Sequence, residues 1–221
     1  MDGIALSHVE DVTYEVMLGG YAQGIFPMAE ARDSQELIWM RPAARGIIPL
    51  EPTKTGRSLR KIARKCGYQL SIDHDFEAII ALCAAPALNR EESWINLALE
   101  QLYLDLFKRG HAHSVEIWQD QILVGGLFGV TLGGAFFGES MVSRADNASK
   151  IALGFLIDRL HQHHFKLLDT QYITPHLRTC GGVEIKRHDY EQQLKQALKT
   201  VPQANCFKMA LTAVSDLTCW D

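Results

Sequence analysis

The chain has no paired-cysteine motif: Cys66, Cys83, Cys180, Cys206 and Cys219 are its five cysteines, and none forms a CxxC pair. An odd number without ligand spacing argues against a disulfide frame or a cysteine-rich zinc site, and for reduced thiols in a cytoplasmic protein. No apolar run approaches the roughly 20 residues a helix needs to span a bilayer. The first eleven residues hold three acids and no Lys or Arg, so no secretory or mitochondrial leader is expected there. Internal repeats and low-complexity tracts are missing too. Acid is missing from one long stretch. Between Glu51 and Asp73 there is none, while Lys54, Arg57, Arg60, Lys61, Arg64 and Lys65 all lie there. The formal net charge of −4 hides this local basic segment, which is suited to holding a polyanion.

What is present is a chain of 221 residues, enough for one full domain and a small appended one. Residues 12–27 read as a helix ended by Gly24 and Pro27, and Trp39-Met40-Arg41-Pro42 marks a turn. Residues 1–48 are therefore expected to form a small N-terminal domain against residues 49–221. Helices are predicted over Ser58–Cys66 with Gly67 as C-cap, Phe76–Ala84, and Leu97–Lys108. On the first, Leu59, Ile62, Ala63 and Cys66 share a face opposite the basic residues. From Ser114 the period becomes two, giving a hairpin of Val115–Trp118 and Ile122–Thr131, then a strand over Ala135–Ser143. A helix capped at Asp146 or Asn147, a strand over Lys166–Gln171 and a helix over Tyr190–Thr200 follow. Strands, a helix and a further strand in this order predict an α/β (α+β) fold: a GNAT-like mixed sheet with flanking helices.

Two acids sit inside strand-like apolar runs, Glu139 in Phe136–Met141 and Asp169 in Leu168–Gln171. Burial makes such charges expensive and shifts a carboxyl toward proton-accepting behaviour near neutral pH. Solvated strand ends, or pairing with Arg144 or His176, would explain them structurally.

Seven segments in order carry a resemblance: Gly24-Ile25-Phe26-Pro27, Ser93-Trp94-Ile95, Gly110-His111-Ala112-His113-Ser114-Val115-Glu116, Val124-Gly125-Gly126, Gly138-Glu139-Ser140-Met141, Asn147-Ala148-Ser149-Lys150 and Asp169-Thr170-Gln171. The chain resembles bacterial leucyl/phenylalanyl-tRNA–protein transferases over about residues 14–207, leaving 208–221 outside. The resemblance implies transfer of leucine or phenylalanine, less readily methionine, from aminoacyl-tRNA to proteins beginning with Arg or Lys, which marks them for N-degron degradation. It implies no cofactor and no metal, since the ester already holds the energy, and a monomer is expected.

The resemblance also assigns roles. Asp169 is expected as general base on the incoming amine or as the group that orients the acceptor's basic terminus, with Gln171 as its partner on the same strand face. Glu139 would hold the aminoacyl ammonium. Leu127, Phe136, Ser140, Met141, Leu153 and Leu156 would line the aminoacyl pocket. Leu127, Leu156 and Phe137 depart from common family choices, which bears on the balance between leucine and phenylalanine. Tyr21 and Trp94 would stack or support the tRNA 3′-terminal adenosine, and Met28 stands where the family often has Trp. Arg57, Arg60, Lys61, Arg64 and Lys65 would grip acceptor-stem phosphates, contacts that position without reading bases.

Two rivals stand beside this reading. An acetyl-CoA-dependent GNAT acetyltransferase would need a glycine-rich turn opening its central helix, and Ser143-Arg144-Ala145-Asp146-Asn147 has none. A non-catalytic RNA-binding module would leave the two acids without a task. The histidines His111, His113, His161, His163 and His164 lack a second ligand set for zinc, and helix-end histidines are explained by the dipole. Neutralising Arg60, Lys61 and Arg64 together is expected to raise the tRNA concentration required and flatten its salt dependence. An unchanged salt slope in a binding assay would remove this segment from the tRNA footprint.

Overall fold

A computed structural model describes residues 2–50, 57–86 and 93–217; the side chains of Arg57, Ser58 and Arg60 also lie outside the description. The chain opens with β1 (Gly3–His8), α1 (Tyr14–Ala22), β2 (Phe26–Met28) and β3 (Glu36–Met40). These strands form an antiparallel sheet of order β1-β3-β2. Thr13 starts α1 by accepting from the Val16 amide, and Gly24 at φ 75° turns the chain out of it.

β4 (Ala44–Ile48) then joins β5 (Gln69–Ile72), β6 (Ala112–Gln119), β7 (Ile122–Leu132), β8 (Ala135–Ser143), β9 (Leu167–Gln171), β10 (Val183–Lys186) and β11 (Thr212–Ala213). Their order in the sheet is β10-β4-β9-β8-β7-β6-β5-β11. Among the described residues the β8–β9 pair alone runs parallel, and the long connection such a pair needs is α5 (Ala148–Gln162). The remaining helices are α2 (Arg57–Ala63), α3 (Phe76–Ala84), α4 (Leu97–Lys108), α6 (Pro175–Thr179) and α7 (Arg187–Leu198). The mixed α/β architecture expected from the sequence is present.

Neighbouring strand residues bury on opposite faces, as the pleat requires. Leu127, Phe136 and Leu168 face the core under α5, while Phe128, Phe137 and Leu167 face the core shared with α1, α3, α4 and α7. α5 is apolar almost all round, with Ile151, Leu153, Phe155, Leu156, Ile157 and Leu160 buried. Each contributes roughly 1.5–3 kcal/mol of transfer free energy. α2 departs from its expected face: Ala63 is buried, but Ile62 is 44% exposed. α2 also ends three residues before the expected Cys66, and Gly67 takes the left-handed conformation just beyond it.

The Gly110–Glu116 segment is structural. Buried Glu116 accepts from the Ser114 hydroxyl at 2.7 Å, the Asp75 amide at 3.0 Å, the His74 amide at 3.1 Å, and the Ser71 hydroxyl. It thereby satisfies the turn that leads into α3. Val124-Gly125-Gly126 also has a physical reason. Val124 is the extra residue of a bulge against β6, since Ile117 pairs with Gly125 and Trp118 with Leu123. At Gly126, φ is 149° and a Cβ would lie 2.3 Å from the Val115 carbonyl oxygen. Gly126→Ala is therefore expected to lower stability by roughly 2–5 kcal/mol, from overpacking and backbone strain together, readable as the urea midpoint.

Candidate active site

Two interruptions of strand register build the site. Phe128 pairs with Ser140 and Gly129 with Gly138, so Glu139 is an unpaired extra residue on β8. Gly46 pairs with Gln171 and Ile47 with Asp169, so Thr170 is the extra residue on β9. Bulges re-aim side chains that strict alternation would send elsewhere. Phe136 and Met141, five residues apart, thus pack against the same core. Gln171 takes the left-handed conformation at φ 62°, which interrupts the alternation expected to carry Asp169 and Gln171 together.

The result is one hydrogen-bonded chain of buried groups. Glu139 accepts from the Tyr21 hydroxyl at 2.7 Å, the Tyr103 hydroxyl at 2.7 Å and Gln171 Nε2 at 3.0 Å. The Gln171 amide donates to Asp169 Oδ1 at 2.7 Å, so this one residue bridges both acids. Asp169 also accepts from Arg45 Nε at 2.9 Å, Arg45 Nη2 at 2.8 Å and the Tyr190 hydroxyl at 2.6 Å. Arg45 is itself buried, and its Nη1 donates to the Gly24 carbonyl at 3.1 Å. Its charge lies 4.5 Å from the Phe26 ring centre and 4.7 Å from that of Tyr190.

Electrostatics separate the two ends. Burial raises the Glu139 carboxyl, and the three hydrogen bonds pull it back only in part, to about 7. Burial and then Glu139 push both tyrosine hydroxyls, Tyr21 and Tyr103, well above their ordinary value. Burial alone would lower Arg45, but its ion pair with Asp169 outweighs this and keeps the guanidinium charged.

Glu139 and Gln171 open onto a cavity of about 370 Å³. All six residues expected to form the aminoacyl pocket (Leu127, Phe136, Ser140, Met141, Leu153 and Leu156) line it, as does Trp94. Asp169 does not; it stands behind Gln171 with no exposed surface, paired with Arg45 rather than with Arg144 or His176. Tyr21 is likewise fully buried, its ring 4.8 Å from that of Phe137, so it meets the site through its hydroxyl. Lys61, Arg64 and Lys65 are exposed, while the side chains of Arg57 and Arg60 lie outside the described residues. Met28, Tyr172, Thr174 and His176 also line the cavity, and sequence reasoning did not assign them to it. Arg45, Tyr103 and Tyr190 were missed as site partners, because a lone Arg or Tyr in an apolar run gives no hint of a partner far along the chain. Among the described residues no group of three or more His, Cys, Asp or Glu is placed to hold a metal ion.

Comparison with known proteins decides the family. The family pattern described as leucyl/phenylalanyl-tRNA protein transferase matches residues 47–195, and that of its N-terminal domain matches residues 10–43. The chain belongs to this family. It is 50% identical over 190 residues to a leucyl/phenylalanyl-tRNA–protein transferase of Rhodospirillum rubrum, covering 86% of this chain and 89% of that one. It is 50% identical over 188 residues to one from Cereibacter sphaeroides, covering 85% and 86%. The match from Zymomonas mobilis is 49% identical over 185 residues, 84% of this chain and 69% of the relative. The family is one of aminoacyltransferases, and the match to its pattern spans Glu139, Asp169 and Gln171.

The elevated Glu139 carboxyl has a consequence for stability. Between the ordinary value of 4.5 and about 7, the folded protein keeps a proton there that the unfolded chain has released. Its contribution to stability is thus present at low pH and is lost as pH rises across that window. Urea denaturation at pH 5 and pH 7.5 is expected to show this fall in wild type and a smaller one in Glu139→Gln.

Proposed function

We propose that this chain transfers leucine or phenylalanine, and less readily methionine, from aminoacyl-tRNA to the α-amino group of proteins beginning with Arg or Lys. The product would carry an N-degron, and the enzyme would act as a cytoplasmic monomer without cofactor. Among the described residues no helix is long and apolar enough to cross a membrane. The observation that carries the reading is the cavity with Glu139 and Gln171 in its wall and Asp169 locked behind them.

The reaction is aminolysis of an ester. The acceptor nitrogen bonds to the aminoacyl carbonyl carbon, the carbon–oxygen bond to ribose breaks, and the amine proton ends on the leaving ribose oxygen. An apolar cavity takes the donor side chain, and volumes of about 300–1,000 Å³ suit ligands of this size. Glu139 has three of its roughly four acceptor positions filled by the protein, leaving about one for an ammonium group. Asp169 is saturated by Arg45, Tyr190 and the Gln171 amide, so we assign it to positioning: it holds Gln171, whose side chain holds Glu139. Of the two acids, Glu139 lines the cavity and has a pKa near neutrality, which favours it for proton exchange there. Trp94, at the cavity, is the better-placed surface for the terminal adenosine. The exposed Lys61, Arg64 and Lys65 are the part of the basic segment offered to acceptor-stem phosphates. On this reading the small N-terminal unit would end before β4 rather than near residue 48, since Ala44–Ile48 pairs with β10 and β9 in the large sheet.

Incubation with labelled leucyl- or phenylalanyl-tRNA and a peptide beginning with Arg or Lys is expected to place the label on the peptide. Glu139→Ala and Asp169→Ala, confirmed folded by circular dichroism, should each reduce the rate by about a hundredfold or more, the range of a lost acid–base or positioning group. Full activity in both variants would refute the assigned roles, and acetyl transfer from acetyl-CoA without tRNA would favour the rival activity.

A further inference from the structure

Two residues that line the cavity each hold a buried polar atom without a hydrogen-bond partner: Thr170 Oγ1 and His176 Nε2. Leaving such an atom unpaired is costly, and a ligand site is where it gains a partner on binding. His176 is held firmly in place. The Thr174 hydroxyl starts α6 by accepting from the Leu177 amide at 3.2 Å, Pro175 occupies the first turn, and the Thr179 hydroxyl donates to the His176 carbonyl at 2.7 Å. Burial, and then the Lys150 charge, lower the His176 pKa, so its ring is neutral at neutral pH.

A neutral imidazole nitrogen donates or accepts according to tautomer. A hydroxyl group does both as well, which makes the two a match. The Lys150 charge near His176 disfavours either substrate amine there, whereas the Glu139 carboxylate favours an ammonium. We propose that His176 Nε2 is the hydrogen-bond partner of the free ribose hydroxyl beside the donor ester, with Thr170 Oγ1 flanking it. The donor is then gripped at its α-amine by Glu139 and at its ribose by His176, which orients the ester between them. This inference rests on the aminoacyl-tRNA reading above.

The test compares two leucyl-tRNA donors, one ending in the normal ribose and one with the leucine on a terminal 2′-deoxyadenosine. Transfer to an Arg-starting peptide is measured for wild type, His176→Ala and His176→Gln. With the ribose donor, His176→Ala is expected to lower kcat/KM about tenfold, equivalent to about 1.4 kcal/mol. Wild type should lose a similar factor on the deoxy donor, and the two changes together should cost no more than either alone. His176→Gln, whose amide also donates and accepts, should recover most of the activity on the ribose donor. Losses that multiply, or a His176→Ala variant as active as wild type on the ribose donor, would overturn the assignment. A wild-type protein that transfers from neither donor would instead sink the aminoacyl-tRNA reading, and this inference with it.

Discussion

The buried pair of Arg45 and Asp169 is the constraint on which the site depends. Neither side chain has more than 2% of its surface exposed, and Nη2 lies 2.8 Å from Oδ2. Such a pair adds little net stability by itself, yet removing one partner strands a charge at a cost of about 3–5 kcal/mol. Its value here is geometric. Arg45 comes from β4, Asp169 from β9 and Tyr190 from α7, while the Gly24 carbonyl brings in the end of α1. The first forty residues, which have too little core of their own, are thereby clamped to the large sheet at the back of the cavity. With Asp169 immobile, the Gln171 amide is anchored, and its side chain can hold Glu139 at a set angle.

This arrangement separates two carboxylates that would otherwise compete. Under the proposed function a charge paired with Arg45 would leave Asp169 with no call on a substrate amine. Glu139, surrounded by two hydroxyls and an amide, keeps its proton balance near neutrality because its burial outweighs the three hydrogen bonds that favour the charged form. Under the proposed function two similar side chains would therefore do different work, one as a frame and one as the group that faces the ligand. The bulges at Glu139 and Thr170 make the separation possible, since each shifts the strand phase by one residue at the point where a polar group must leave the core.

Much of this was legible in the sequence, and the failures have identifiable causes. The helices Phe76–Ala84 and Leu97–Lys108 and the strand Ala135–Ser143 end where predicted, because caps, glycines and turn residues bound clean periodic runs. That Leu127, Phe136, Ser140, Met141, Leu153 and Leu156 line one cavity was readable through the resemblance, although strict alternation would have placed Phe136 and Met141 on opposite faces. β1 and β2 were not readable. β1 is almost wholly exposed and β2 is three residues long with a proline, so both exist through pairing with β3 rather than through any pattern of their own. Arg45 was invisible for a similar reason: its partner lies 124 residues away, and only the sheet order brings them together. Tyr103 looked like plain core because its ring is plain core; the hydroxyl alone belongs to the site.

The apolar walls matter for more than affinity. An activated ester in water is lost to hydrolysis unless the competing nucleophile is an amine held close and water is kept out. Leu127, Phe136, Met141, Leu153 and Leu156 offer water no hydrogen bond along the cavity wall. The protein's own tyrosine hydroxyls, rather than solvent, satisfy the buried face of Glu139. Under the proposed function, a carboxylate satisfied by water would carry a hydrolytic nucleophile to the place assigned to the ester. By spending two buried tyrosines and a glutamine on one acid, the fold keeps that acid polar, oriented and dry, which is what transfer to an amine in competition with water demands.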